Sequence, residues 1–416
     1  MTSIVSDIQS LSYQCNCGNQ HKVIEIEDIV VEKGALRRAV DFMKKKNYQK
    51  VMIIADQNTF EACGEKLSDL LKVGNLSISL CLVEPDENGD VLADEKSLVQ
   101  VLLETTGEEE VMIAVGSGTI HDITRFCSAK MGIPFISVPT APSVDGFTSL
   151  GAPLIVKGAK KTFQLTCPIG VYADIDVLGA APRKMIAAGV GDMFAKYTSL
   201  ADWKLDSLVT DEPYCPLSAQ ITQDALLACT ENIDHIAAGD EKGITILIDA
   251  LIKSGLAMLL FGQSHPASGG EHHISHFWEM QFLKENRPQI LHGAKVGVST
   301  ILLASVYKEK FLQAIGDESL IEKADLSADW KRAIQEKKEE ILSIYKAIPA
   351  SSELKQLIQK VGGPVSYKEL GIEEDLLITS LEEAHHLRDR FTALKFLSKV
   401  GEKEFATYLS TNNVMK

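Results

Sequence analysis

The chain has 416 residues, 45% of them apolar and 24% charged, a length that one compact core fills poorly and that points to two domains. Its formal net charge of −15 argues against nucleic acid as a partner and repels anionic ligands unless local donors hold them. No uninterrupted apolar run reaches the ~18 residues of a membrane span, and MTSIVSDIQS lacks the features of a secretory signal, so the expectation is a cytoplasmic protein with no membrane partner.

CNCGNQH, at 15–21, sets Cys15 and Cys17 near His21. That is either a tight structural turn, the commoner outcome, or a small metal or redox site, for which C-x-C is a weaker sign than paired C-x-x-C knuckles. Cys63, Cys81, Cys127, Cys167, Cys215 and Cys229 are scattered and are expected to be buried, reduced and inert.

Next, short β-rich runs alternate with amphipathic stretches. Residues 21–31 predict a strand, 34–46 a helix, and 50–59 a strand that stops at Asp56. Residues 60–73 predict a helix, 76–84 a strand, 94–104 a helix, 111–119 a strand running into glycines, 120–131 a helix and 134–140 a strand. Strands apolar on both faces imply a parallel sheet covered by helices. Residues 153–168 predict a hairpin turning at GAKK, and 170–178 a last strand. From about Pro182 onward only helical patterns remain. The expected fold is therefore an α/β, nucleotide-binding domain over 1–182 followed by an all-α domain over 183–416.

Four segments carry chemistry. VGSGTIHD, at 115–122, places Gly116 and Gly118 at a strand-to-helix junction, where backbone can approach a phosphate at a helix N-terminus. His121 stands where a G-x-G-x-x-G fingerprint needs its third glycine, and the motif follows the fourth strand, so a plain Rossmann dehydrogenase is disfavoured; a tight turn is the alternative. The loop from Ser137 to Pro153 packs Thr140, Ser143, Asp145, Thr148 and Ser149 behind a strand end, stiffened by Pro139 and Pro142, which suits phosphate, ribose or substrate hydroxyls.

AAGVGDMFAKY sets Asp192 in an apolar helix, where a carboxylate must bind a metal or pair, for instance with Lys196 one turn on. In SGGEHHISHFWEM, His272 and His276 share a helix face, but His273 occupies the place where a zincin peptidase needs glutamate, and Glu271 lies on another face. His292, in LHGAK, can return to the same cleft. Three protein ligands and an open position make a catalytic metal site.

GSGTIHD, PTAPSVDGFTS, AAGVGDMFAKYTSLADWKL, SGGEHHISH and LHGAKVGV, in this order over 116–298, resemble the metal-dependent polyol dehydrogenases. That family includes glycerol dehydrogenase, iron-type alcohol dehydrogenase and, more distantly, dehydroquinate synthase, and the motifs look most like its glycerol-1-phosphate branch. The resemblance implies an NAD-binding α/β domain, a helical domain and a cleft between them. It implies Asp192, His272 and His292 as ligands of one divalent metal, nickel or zinc, with Asp145, Asp192 and His276 catalytic and in contact with substrate. It implies that Gly116, Ser117, Gly118, Thr119, Ile120, His121, Asp122, Thr140, Ala141, Pro142, Ser143 and Ser149 hold NAD(H), or NADP(H), and that Asp56 takes the adenosine ribose. The implied reaction is reduction of dihydroxyacetone phosphate to sn-glycerol 1-phosphate, a phospholipid-backbone precursor, by a homodimer. Nearby bases such as Lys160, Lys161 or Lys196 are the candidates for the substrate phosphate. Rival expectations are an unphosphorylated polyol dehydrogenase, a non-catalytic binding protein, and a dehydroquinate-synthase-like lyase, the last disfavoured by few Arg and Lys in the metal segments.

Overall fold

A computed structural model describes residues 4–401. Six strands form one parallel sheet: β1 (Asp28–Glu32), β2 (Lys50–Ala55), β3 (Ser77–Leu82), β4 (Val111–Gly116), β5 (Phe135–Pro139) and β8 (Gly170–Asp174). Their order across the sheet is β1-β8-β5-β4-β2-β3, and each pair is parallel. β4 is buried along its whole length, as an apolar strand covered on both faces must be. The strand order reverses between β2 and β4, and ligands of open α/β sheets bind at the carboxyl ends beside such a reversal. Asp56 follows β2 there, and Ser117 follows β4, ahead of helix α1 (Gly118–Met131).

The antiparallel hairpin β6 (Gly151–Val156) and β7 (Ala159–Gln164) lies outside that sheet. It turns at Lys157-Gly158 rather than at GAKK, with φ of 54° and 70°, because a two-residue turn matching strand twist needs left-handed backbone at both positions. The predicted strand over 21–31 is paired only from Asp28, where β8 begins to offer an edge (Asp28 opposite Gly170). The predicted strand over 170–178 also shortens: Asp174 caps a helical turn, Ile175–Gly179, by accepting from the Asp176 amide.

After β8 every described element is helical. Those around the site are α2 (Arg183–Phe194), α3 (Lys196–Val209), α4 (Pro216–Glu231), α5 (Glu241–Phe261), α6 (Gly270–Lys284) and α7 (His292–Val306). α5 is long and apolar enough to cross a membrane, but it is mostly buried against its neighbours and serves as a core helix. Ile8, Ile24 and Ile26, ahead of β1, join the same apolar core as α2, α5 and α7.

Candidate active site

The histidine segment forms α6 and LHGAK starts α7, and the two helices pack side by side. Their imidazoles converge: ring centroids lie 5.3 Å apart for His272 and His292, 6.1 Å for His272 and His276, and 5.9 Å for His276 and His292. Asp192 enters from α2 with no solvent exposure, its Oδ1 3.8 Å from His272 Nε2. One ligand atom each from Asp192, His272 and His292 can be chosen so that all lie within 4.8 Å of one another. One carboxylate and two imidazoles at that spacing form a donor set that fits a zinc-like ion. Burial holds both imidazoles well below their usual pKa, with Lys196 adding to this for His272 and His272 adding to it for His292. The neutral ring is the form that ligates metal.

Close backbone approach sets this geometry. A β-carbon on Gly191 would lie 2.2 Å from the Gly293 carbonyl oxygen, and one on Gly189 would lie 1.9 Å from that of Pro142. Glycine therefore lets α2 touch both α7 and the hydroxyl-rich loop. That loop is tied to this donor set directly, because the Asp145 amide donates to Asp192 Oδ2 at 2.9 Å.

Lys196 was expected either to pair with Asp192 or to meet a phosphate. It is wholly buried, with Nζ 2.8 Å from Asp145 Oδ2 and 3.2 Å from Asp192 Oδ1. Burial disfavours the ammonium, but the two carboxylates outweigh it and raise Lys196 to about 12, so it stays charged and fixes both acids. Ser254 adds a hydrogen bond to Asp145 Oδ2 at 2.8 Å.

A cleft of about 340 Å³ opens above these groups. It is lined by Ser117, Gly118, Thr119, Asp122, Ser143, Asp145, Ser149, His272, His276 and His292 among the expected residues. Ser117 precedes α1 with its side chain in no capping bond, leaving the helix N-terminus open to an anion. Other expected residues stand back from the cleft. The His121 side chain turns into the core, where Nδ1 meets Ser117 O at 2.8 Å and Nε2 meets Ser137 Oγ at 2.7 Å. Gly116, Ile120, Thr140, Ala141 and Pro142 are buried and do not line the opening. Asp56 lies at the sheet reversal with Oδ1 taken by the Thr59 amide.

Several groups were missed. Glu271, read as facing elsewhere, sits 2.7 Å from His272 Nδ1 through Oε1, and Thr198 donates to its other oxygen at 2.7 Å. Glu279 is one further turn along the His272–His276 face, and its spacing made it findable. Lys160 lies 2.7 Å from one Glu279 oxygen and Lys295 3.1 Å from the other. Burial opposes ionisation of Glu279, but these two lysines overcome it and hold the carboxylate charged well below its usual range. Lys161 faces solvent.

Arg388 arrives from the far end of the chain and lines the cleft. Its guanidinium contacts the hydroxyls of Thr162, Ser264 and Ser268, each at 3.4 Å, and pairs with no carboxylate among the described residues. The cleft is therefore richer in cations than its metal segments implied, so their scarcity of Arg and Lys does not argue against a phosphorylated ligand or a lyase.

Residues 30–182 match the family of iron-containing alcohol dehydrogenases. The chain is 51% identical over 401 residues to the glycerol-1-phosphate dehydrogenase [NAD(P)+] of Geobacillus stearothermophilus, covering 96% of this chain and 99% of that one. It is 44% identical to the enzyme of the same name from Bacillus subtilis strain 168, covering 96% and 97%. The fold resembles glycerol dehydrogenase from Schizosaccharomyces pombe (TM-score 0.63, 16% identity, 93% and 92% covered). It also resembles sulfoacetaldehyde reductase from Bifidobacterium kashiwanohense in complex with NAD+ (TM-score 0.65, 13% identity, 92% and 97% covered). With its metal-type donor set, its cleft at the sheet reversal and half-identical relatives along nearly its full length, the chain belongs to the glycerol-1-phosphate dehydrogenase family on the iron-containing alcohol dehydrogenase fold.

Proposed function

We propose that this chain reduces dihydroxyacetone phosphate to sn-glycerol 1-phosphate with NADH or NADPH, at one divalent cation, nickel or zinc, held by Asp192, His272 and His292. The observation that carries the reading is the convergence of those three ligand groups at the foot of a cleft walled by the Ser117-Gly118-Thr119 turn. The names of the half-identical relatives supply the substrate class and the cofactor pair.

Held by Asp192, His272 and His292, the cation would supply Lewis-acid polarisation of the C2 carbonyl, and a reduced nicotinamide would supply the hydride. The rest falls to the chain. The open N-terminus of α1, with Ser143 and Ser149, binds the cofactor phosphates, and Asp56 takes the ribose with its uncommitted oxygen. Asp145, fixed by Lys196 and Ser254, accepts a hydrogen bond from a substrate hydroxyl. Arg388, with no acidic partner among the described residues, binds the phosphate. His276 lines the cleft and is kept neutral, first by burial and then by Lys160. It relays one proton to the C2 oxygen while taking another from solvent, which balances ketone, hydride and proton against the alcohol. We take the domains to divide near residue 182 and the working form to be a cytoplasmic homodimer.

Metal-loaded protein mixed with NADH and either dihydroxyacetone phosphate or dihydroxyacetone tests the reading by loss of NADH absorbance. Preference for the phosphorylated ketone supports it. Preference for dihydroxyacetone overturns the substrate, and no oxidation with either ketone overturns the reaction.

A further inference from the structure

The N-terminal CNCGNQH segment takes no part in the chemistry above, yet it meets a fourth ligand-type residue from far along the chain. Cys15 Sγ lies 4.0 Å from Cys215 Sγ, Cys17 Sγ 3.4 Å from His21 Nε2, and His21 Nε2 3.2 Å from Cys215 Sγ. Ligand atoms of all four lie within 4.8 Å of one another. A tetrahedral ion with Zn–S of about 2.3 Å and Zn–N of about 2.0 Å needs sulfur–sulfur edges of about 3.8 Å and sulfur–nitrogen edges of about 3.5 Å. The sulfur–sulfur distance of 4.0 Å lies slightly above, and the sulfur–nitrogen distances of 3.4 and 3.2 Å slightly below, those values. The Cys15–Cys215 separation is about twice a disulfide bond length, and both thiols are free.

We propose that Cys15, Cys17, His21 and Cys215 form a structural Cys3His site for a zinc-class divalent cation, separate from the ion in the cleft. The surroundings are built for thiolate ligands. Cys215 caps α4, and its sulfur accepts from the Ser218 amide at 3.4 Å, at the positive end of a 16-residue helix. Asn19 donates to Cys17 Sγ at 3.4 Å and to Tyr214 O at 2.8 Å, tying the turn to the strand of chain that carries Cys215. Gly18 supplies the tight reversal, with φ of 79°. Trp203 and Phe261 shield the inner side, packing with Cys215 and with Cys15 and Cys17. Four protein ligands leave no open position, which is the pattern of a structural rather than a catalytic ion. Such an ion fastens the segment before β1 to the N-terminus of α4, against Trp203 of α3 and Phe261 at the end of α5.

Cobalt(II) separates the two sites in the intact protein. The proposed ligands in the cleft offer oxygen and nitrogen alone and no cysteine lines it, so a thiolate-to-cobalt charge-transfer band in the near ultraviolet arises only at the cysteines. We expect cobalt-loaded protein to show that band with two metal equivalents per chain. His272→Ala loses one equivalent and keeps the band; Cys17→Ser loses the other equivalent and the band. Absence of the band in the unmutated protein overturns the proposal whether or not Cys17→Ser folds. So does a disulfide joining Cys15 or Cys17 to Cys215 in freshly purified protein, or an unchanged band in folded Cys17→Ser.

Discussion

Gly293 and Ala188 meet with no room for a side chain between them: a β-carbon on Gly293 would lie 1.8 Å from the Ala188 carbonyl oxygen. That contact sets the separation of α2, which carries Asp192, from α7, which begins at His292. Gly293→Ala must push the helices apart, and overpacking of this kind costs about 1–3 kcal/mol. Metal affinity should fall roughly tenfold or more, because a ligand set displaced by a fraction of an ångström no longer closes on one ion. Thermal unfolding and metal titration of the variant check both effects, and unchanged metal affinity would show that the helix spacing does not set the site.

Glu271 holds His272 by its Nδ1 at 2.7 Å and so leaves Nε2 turned toward Asp192. Outer carboxylates of this kind fix ring orientation and raise ligand basicity. Glu271→Gln should leave the protein folded and weaken metal binding about 10- to 100-fold, measured by competition with a chromophoric chelator. His272→Ala should lose cleft metal and activity together, and a fully active variant without that metal would refute the ligand assignment.

The phosphate assignment separates cleanly from the metal. A charge-assisted hydrogen bond contributes about 1.5–3 kcal/mol, so Arg388→Gln should raise KM for dihydroxyacetone phosphate about 10- to 150-fold. Activity with unphosphorylated dihydroxyacetone should change little. Equal losses with both ketones would mean that Arg388 shapes the cleft without gripping phosphate.

Acid should destabilise the fold through imidazoles remote from the metal. His121 and His265 are buried, and burial lowers them to about 3 and about 2; Arg125 adds to this for His121, and Arg390 and Arg388 for His265. Both folded values lie below the unfolded one near 6.5. Their stabilising contribution is therefore present above pH 6.5 and is lost as pH falls, because only the unfolded chain takes up the protons. Well below pH 6.5 the loss approaches about 1.4 kcal/mol per pH unit for each group, so it comes to roughly 3 kcal/mol for the pair between pH 6.5 and pH 5. Urea midpoints measured at both pH values check this, and His121→Gln should flatten the dependence by about one proton.

Much of this was legible because it is local. Apolar β-branched runs alternating with amphipathic stretches gave the parallel sheet, since strands covered on both faces must read that way. The spacing of His272 and His276, and an aspartate in an apolar helix, pointed to the cluster proposed to hold the metal without any knowledge of packing. What stayed hidden depends on chain separation. Arg388 reaches the cleft by contacts with Ser264 and Ser268, more than a hundred residues away. Cys215 meets Cys15 across 200 residues. The apolar-polar alternation of 21–27 mimics a strand, but the ladder with β8 begins only at Asp28. His121 fits a nucleotide loop by position, yet Ser137 offers its ring a partner in the core.

The most direct measurement is an anomalous-scattering map from crystals of the metal-loaded protein. One peak about 2.0–2.2 Å from an Asp192 oxygen, His272 Nε2 and a His292 ring nitrogen is the predicted result. Three such side chains turned apart, with the cleft peak bound elsewhere or missing from protein that still oxidises NADH, would contradict it.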